Sequence, residues 1–276
     1  MSDSTGEATE SHASRSGPVA SWRQVAIPSE HGGWSLTAEP VLLGLIVAWS
    51  WSGLALGVAA MLAFVARTPL KVVLVDRWRQ RLLPRTRLAA RTAAAEIAAI
   101  AGLGAVAAIG SASGWFWVPL ALAGPLVGLE LWYDMRSRSR RLLPELAGTV
   151  GIGSVVAAIA LAGGESATLA GGLWTVVAGR GIASIVYART QIFRLHDRPV
   201  ARWPSDAAQI VSVAGVTVAW AVSAIPVAPV VALGCTALFH VAALRRPVHR
   251  ALVVGLQQLV VGVAIVVVTA IAILVT

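Results

Sequence analysis

The stretch Arg67-Thr68-Pro69-Leu70-Lys71-Val72-Val73-Leu74-Val75-Asp76-Arg77-Trp78-Arg79-Gln80-Arg81 decides the fold. It closes an apolar run that begins near Leu54, and positions 67–91 carry eight Lys or Arg residues. The hydrocarbon core of a bilayer needs about 20 predominantly apolar residues in a helix, so the run reads as a membrane span. A basic cluster directly after a span places that end on the cytoplasmic side.

Working outward, apolar runs near 33–51, 54–75, 88–110, 115–133, 144–162, 168–187, 206–224, 227–244 and 248–275 predict nine spans. Glycine, serine and proline turn signals separate them, as at Ser52-Gly53, Gly163-Gly164 and Ile225-Pro226. Four Lys or Arg fall within 136–141, five within 180–202 and three within 245–250, while Arg15 and Arg23 complete the set. The connections near 52, 112, 164 and 226 hold none. Every basic cluster thus follows an even-numbered span. This pattern predicts a cytoplasmic N-terminus and an external C-terminus. A single tilted span over 40–66 would leave eight and turn the N-terminus outward, which fits Arg15 and Arg23 less well. Trp115 and Trp117, with Trp132 and Tyr133 at the far end of the same run, read as interfacial anchors.

Composition agrees. Hydrophobic residues make up 57 % of the 276 and charged residues 13 %, against roughly 25 % charged in soluble domains. The net charge of +9 belongs to membrane orientation and anionic headgroups rather than to nucleic acid, since no groove-reading or base-stacking module is present. The single cysteine, Cys235, allows neither an internal disulfide nor a cysteine metal cluster. The expected organisation is a disordered cytoplasmic tail over 1–26 and one transmembrane helical domain over 27–276. The fold class is all-α, a polytopic transmembrane helix bundle.

Ionisable residues inside a span are costly and mark function by default. Arg180 lies deep in the sixth run. Spacings of 4, 3, 4 and 3 put Ser184, Tyr187, Gln191 and Arg194 on its helical face. Arg67 and Lys71 are four apart at the end of the second span, with Pro69 between them expected to kink or end the helix. Glu39, before Pro40, is a candidate partner for Arg67 or Arg180. Glu130 and Asp134 read as local balance for Arg136 and Arg138. Glu145 and Asp206 read as acids in first turns, facing the helix dipole. Glu30 with His31, and His196 with Asp197, are acid–imidazole neighbours at the expected cytoplasmic interface and candidate proton carriers. His240 reads as a packed core histidine. Neither acid–imidazole pair has the spacing of a metal site, so none is assigned.

The string Ile27-Pro28-Ser29-Glu30-His31-Gly32-Gly33-Trp34, leading into a membrane span, resembles the opening of the YwiC-like family of bacterial membrane proteins. That family shows a proline, then Glu-His-Gly, a small residue and Trp at this place. The basic segment from Arg67 to Arg91, with Pro69 and Asp76, is similar too, so the likeness covers about the first 90 residues. It implies a multi-pass protein of the bacterial cytoplasmic membrane and assigns no reaction. The nine spans and the polar loops after spans two and six are also similar in architecture to the UbiA-type intramembrane prenyltransferases. Those enzymes hold a prenyl diphosphate through magnesium on two aspartate-rich motifs. Here Asp76 stands alone after span two and His196 and Asp197 after span six, so magnesium is poorly supported.

The combined expectation is a cytoplasm-facing polar cavity that binds an amphipathic anion such as a lipid or isoprenoid phosphate. Glu39, Arg67, Lys71, Asp76, Arg180, Tyr187 and Arg194 would form its binding site. Glu30, His31, His196 and Asp197 would carry protons if chemistry occurs. Prenyl transfer, transport or channel activity, and an accessory-subunit role remain open alternatives.

Overall fold

A computed structural model describes residues 31–81, 83–138, 141–248 and 250–276, with His31 and Gly32 described only by their place in a helix. The expected tail over 1–26, Glu30 and His249 lie outside the described residues.

Among the described residues there are nine α-helices and no strand. They are α1 (His31–Val47), α2 (Trp51–Trp78), α3 (Pro84–Gly110), α4 (Trp117–Met135), α5 (Leu142–Ala162), α6 (Ala167–Leu195), α7 (Trp203–Ala221), α8 (Ala228–Ala243) and α9 (Ala251–Leu274). Each coincides with one expected span. Five of them, α2, α3, α5, α6 and α9, are long and apolar enough to cross a membrane, and α1 and α8 are shorter apolar helices.

The first two helices are distinct. The chain leaves α1 at Val47, and the Ser50 hydroxyl accepts from the Gly53 amide at 2.9 Å to cap α2. Ser166 caps α6 in the same way, accepting from Leu169 at 3.1 Å. Pro69 does not end α2, which continues to Trp78. A proline withdraws one backbone donor, and a membrane helix tolerates this when its neighbours take up the unpaired carbonyl.

Helices α5 and α6 form the centre. From Gly153 to Ala162 every residue of α5 is buried. Small residues permit the close approach. A methyl on Gly44 of α1 or Gly53 of α2 would stand 2.9 Å from the Ile159 side chain of α5. Helix α7 packs on α6 with α8 and α9 beside it, while α1, α2 and α4 pack on α5. Helix α3 is the edge of the molecule, packed chiefly against α2. It buries only Thr86, Ala89, Ala93 and Ala107. Exposed Trp49, Trp51, Trp115 and Trp117 flank the connections that lack Lys and Arg, as interfacial tryptophans do.

Candidate functional site

The middle of α6 holds a guanidinium. Arg180 is 3 % exposed. Nε lies 2.9 Å from Glu39 Oε2 of α1. Nη1 donates to Ser184 Oγ at 2.7 Å, and Nη2 donates to the Gln258 backbone carbonyl of α9 at 2.5 Å. The other carboxylate oxygen, Glu39 Oε1, is buried with no hydrogen-bond donor. Gly262 makes the room for it, because a methyl there would fall on the Glu39 carboxylate and 2.6 Å from Arg180 Nη2.

The network continues across the bundle. Ser184 Oγ donates to Gln258 Oε1 at 2.6 Å, and Gln258 Nε2 lies 2.9 Å from His240 Nε2 of α8. His240 Nδ1 stands 3.2 Å from Gln209 Oε1 of α7, and Gln209 Nε2 donates to the Ala183 carbonyl at 3.1 Å. Arginine can only donate, and the Ser184 hydroxyl here points at Gln258 Oε1. Ser184 therefore accepts from Arg180 and donates to Gln258, whose amide NH2 is left to face His240. The imidazole accepts on Nε2 and donates from Nδ1. It is the neutral Nδ1–H tautomer, fully buried. Five helices, α1, α6, α7, α8 and α9, thus share one run of hydrogen bonds. Isolated contacts of this kind within membranes contribute about 0.6 kcal/mol each on average. The run is therefore more informative as a functional arrangement than as a source of stability.

A branch leads from the middle of α6 to its C-terminal end. The Tyr187 ring stacks on His240 with centroids 4.0 Å apart. Its hydroxyl accepts from Gln191 at 3.1 Å. Arg194 Nη1 donates to Gln191 Oε1 at 3.1 Å, and Arg194 Nη2 reaches the Arg246 carbonyl at 2.9 Å. The branch runs from mid-bundle to the end that carries the basic residues.

Arg67 and Lys71 lie in a second cluster. Arg67 donates to both oxygens of the fully buried Asp134, at 2.8 and 3.2 Å, and pairs with Glu130 at 2.7 Å. Lys71 stands 3.3 Å from the same Asp134. Glu130 and Asp134 thus face across to α2. Arg136, their expected local partner, lays its guanidinium over the Trp132 ring at 4.0 Å and near Trp78 at 5.5 Å. Gly148 of α5 admits the Glu130 carboxylate, which a methyl there would strike.

The remaining candidates sit elsewhere. Asp76 is buried between α2 and α3, accepting from Arg85 at 3.0 Å and Thr86 at 2.6 Å. Glu145 and Asp206 stand in first turns and also reach other helices, Glu145 to Arg189 at 3.1 Å and Asp206 to Arg245 at 3.5 Å. His196 and Asp197 are exposed just past the end of α6, with His196 Nδ1 2.8 Å from the Ile192 carbonyl. Two open grooves of about 290 Å³ each lie on the surface, one beside Trp174, Gly179 and Ser212, the other beside Phe239 and Val260. No charged residue lines either one. No group of three or more His, Cys, Asp or Glu suited to a metal ion occurs among the described residues.

Sequence reasoning missed Gln209, Gln258 and the role of His240. Each is a lone polar residue on a different apolar helix, so no periodicity links them. The available signal was their scarcity, since a glutamine inside a span needs a partner.

Residues 27–160 match the model of the YwiC-like protein family. That segment is similar to the YwiC-like family. No curated protein and no solved structure matches the chain. The YwiC-like segment runs from the start of α1 nearly to the end of α5. It contains the whole Arg67–Asp134 cluster and Glu39. Arg180, Gln209, His240 and Gln258 lie outside it, so the buried ion pair joins the YwiC-like segment to the remainder of the chain. The protein is a multi-helical membrane protein with several apolar helices suited to a lipid bilayer, and its first half is similar to the YwiC-like family.

Proposed function

We propose that the protein is a small transporter of an amphipathic anion, such as a lipid or isoprenoid phosphate, with Arg180 as the headgroup-binding cation. The observation that carries this reading is the Glu39–Arg180 pair, buried mid-bundle with one carboxylate oxygen unpartnered. An ion pair in a low-dielectric interior stabilises little compared with apolar packing, yet losing one partner costs about 3–5 kcal/mol. Such a pair is better placed to exchange ligands than to hold a fold together. A phosphate takes the position of the Glu39 carboxylate on Arg180, and the polar face through Ser184, Tyr187, Gln191 and Arg194 leads to the basic end of the bundle. Arg67 and Lys71, held by Glu130 and Asp134, form a second exchange site in the YwiC-like segment. Asp76 orders the α2–α3 junction beside it. Glu30, His31, His196 and Asp197 serve as proton carriers at the membrane surface.

Transport is favoured over prenyl transfer because each intramembrane cation named here already has a carboxylate partner. Exchange of one anion for another needs no metal, whereas the transferase chemistry requires magnesium-binding carboxylates. The test is uptake of farnesyl monophosphate into liposomes holding the purified full chain. Arg180→Ala should lower uptake about tenfold to a hundredfold, the range expected for losing a charge-assisted hydrogen bond of about 1.5–3 kcal/mol. Uptake that is absent, or equal in wild type and variant, overturns the proposal. Transfer from a labelled prenyl diphosphate would replace it with a transferase, and a stoichiometric co-purified partner with a subunit role.

A further inference from the structure

We infer that His240 is a proton-binding site joined to Arg180 by a reversible hydrogen-bond relay, and that it takes up one proton when an anion is admitted at Arg180. The inference rests on the anion-transport reading and supplies its coupling ion.

Charge balance motivates it. Among the described residues, the fully buried charges around α6 are the cation Arg180 and the anion Glu39, which balance each other. An entering monoanion makes the core −1, which a low-dielectric interior resists. A proton must arrive with the anion, and His240 is placed to receive it. Its neighbours come from every packed helix: Arg180 and Tyr187 on α6, Gln209 on α7, and Gln258 on α9. Helix α9 has no charged residue. Asp206 of α7 is turned to Arg245, which with Arg246 lies just past the end of α8. The nearest ionised group linked to the ring is thus Arg180.

The hydrogen bonds can reverse. A proton on His240 Nε2 would face the Gln258 NH2, donor against donor. Rotating that amide by half a turn presents Oε1 to the imidazolium and the NH2 to Ser184. The Ser184 hydroxyl proton then turns to the helix carbonyl four residues back, and its oxygen accepts from both Gln258 and Arg180. No covalent bond changes, and each donor keeps an acceptor. The Nδ1–H bond to Gln209, itself anchored on the Ala183 carbonyl, persists in both states. The route for the proton is the Tyr187–Gln191–Arg194 face.

Two measurements on the full chain test this. In liposomes, an imposed pH gradient should drive farnesyl monophosphate uptake, and His240→Gln should lower the ratio of gradient-driven uptake to anion exchange at least about tenfold. In micelles, nitrogen NMR of histidine-labelled protein should show an Nδ1–H neutral ring for His240 without ligand and an imidazolium at saturating farnesyl monophosphate. The His240→Gln spectrum assigns the signal. If uptake occurs but ignores the pH gradient, or if the ring stays neutral with ligand bound, the relay is wrong and transport stands. If the drive is lost in Glu39→Gln and kept in His240→Gln, the proton site is Glu39 and the inference fails. If the probe neither binds nor moves, both readings fall together.

Discussion

Glycine at 262 leaves a volume that the Glu39 carboxylate fills. Helix α9 also contains Gly255, around which a methyl would meet nothing within 4 Å. The two positions make an internal comparison. Alanine is the better helix former by about 1 kcal/mol, so Gly255→Ala should hold or raise the thermal midpoint in detergent. Gly262→Ala should lower it, since the methyl must displace Glu39 or Arg180 and overpacking costs about 1–3 kcal/mol. Tryptophan fluorescence during heating reads both, and equal midpoints would mean that the carboxylate does not occupy that space. At this scale the sequence was legible where a residue broke its own surroundings. Arg180 stood out among apolar residues, and the 4, 3, 4, 3 spacing found its helical face because that information is local. Glu39 had two candidate partners, Arg67 and Arg180, until the approach of α1 to α6 put it on Arg180. His240, Gln209 and Gln258 were not legible, because what relates them is the packing of α7, α8 and α9 rather than any spacing along the chain.

Between elements, the contact of α2 with α4 turns on Asp134. This carboxylate is fully buried and accepts from Arg67 and Lys71, which lie one helical turn apart on α2. Asp134→Ala would leave two cations facing an apolar wall, and removing one side of a buried pair costs about 3–5 kcal/mol. The variant should show a correspondingly lower denaturation midpoint. Arg138→Ala, at an exposed position past the end of α4, should leave it unchanged. Matching losses would show that the cluster is not what joins the helices. The sequence reading paired Glu130 and Asp134 with Arg136 and Arg138 because neighbours along a chain are the only neighbours a sequence displays. In the fold, Arg136 finds the tryptophan faces and the acids find α2. The helices themselves were more legible than their contacts. Apolar runs end at Ser50, Ser111, Gly163 and Val222 because turn chemistry is local, and the boundaries fall within a few residues of expectation except at the end of α6, where the helix runs on to Leu195. Pro69 was the misleading signal, since its effect depends on what surrounds the helix.

For the molecule as a whole, orientation follows from charge asymmetry, and the question is whether α1 crosses. Helix α1 has 17 residues, a length of about 26 Å at 1.5 Å per residue, slightly short of the roughly 30 Å hydrocarbon core. A helix that short crosses with its ends drawn into the interface, where an indole is at home. Trp49, just past α1, is 60 % exposed, and Trp51 is 76 % exposed. If α1 spans, both rings sit at the outer interface, on the same side as Gly114 and opposite the basic loop after α4. Because α1 and α2 are separate helices joined by a three-residue break, the turn at Ala48–Ser50 must reach either the outer water or the bilayer interior. The interior would leave its backbone groups without partners, which is unfavourable in lipid. Single cysteines introduced into a Cys235→Ala background decide the matter. With a membrane-impermeant maleimide on intact spheroplasts, Trp49→Cys and Gly114→Cys should label, and Arg138→Cys should label only after permeabilisation. Labelling of Arg138→Cys from outside would invert the bundle. A Trp49→Cys that stays unlabelled on either side, while Gly114→Cys reacts, would place the α1–α2 turn within the bilayer and reduce the crossings by one.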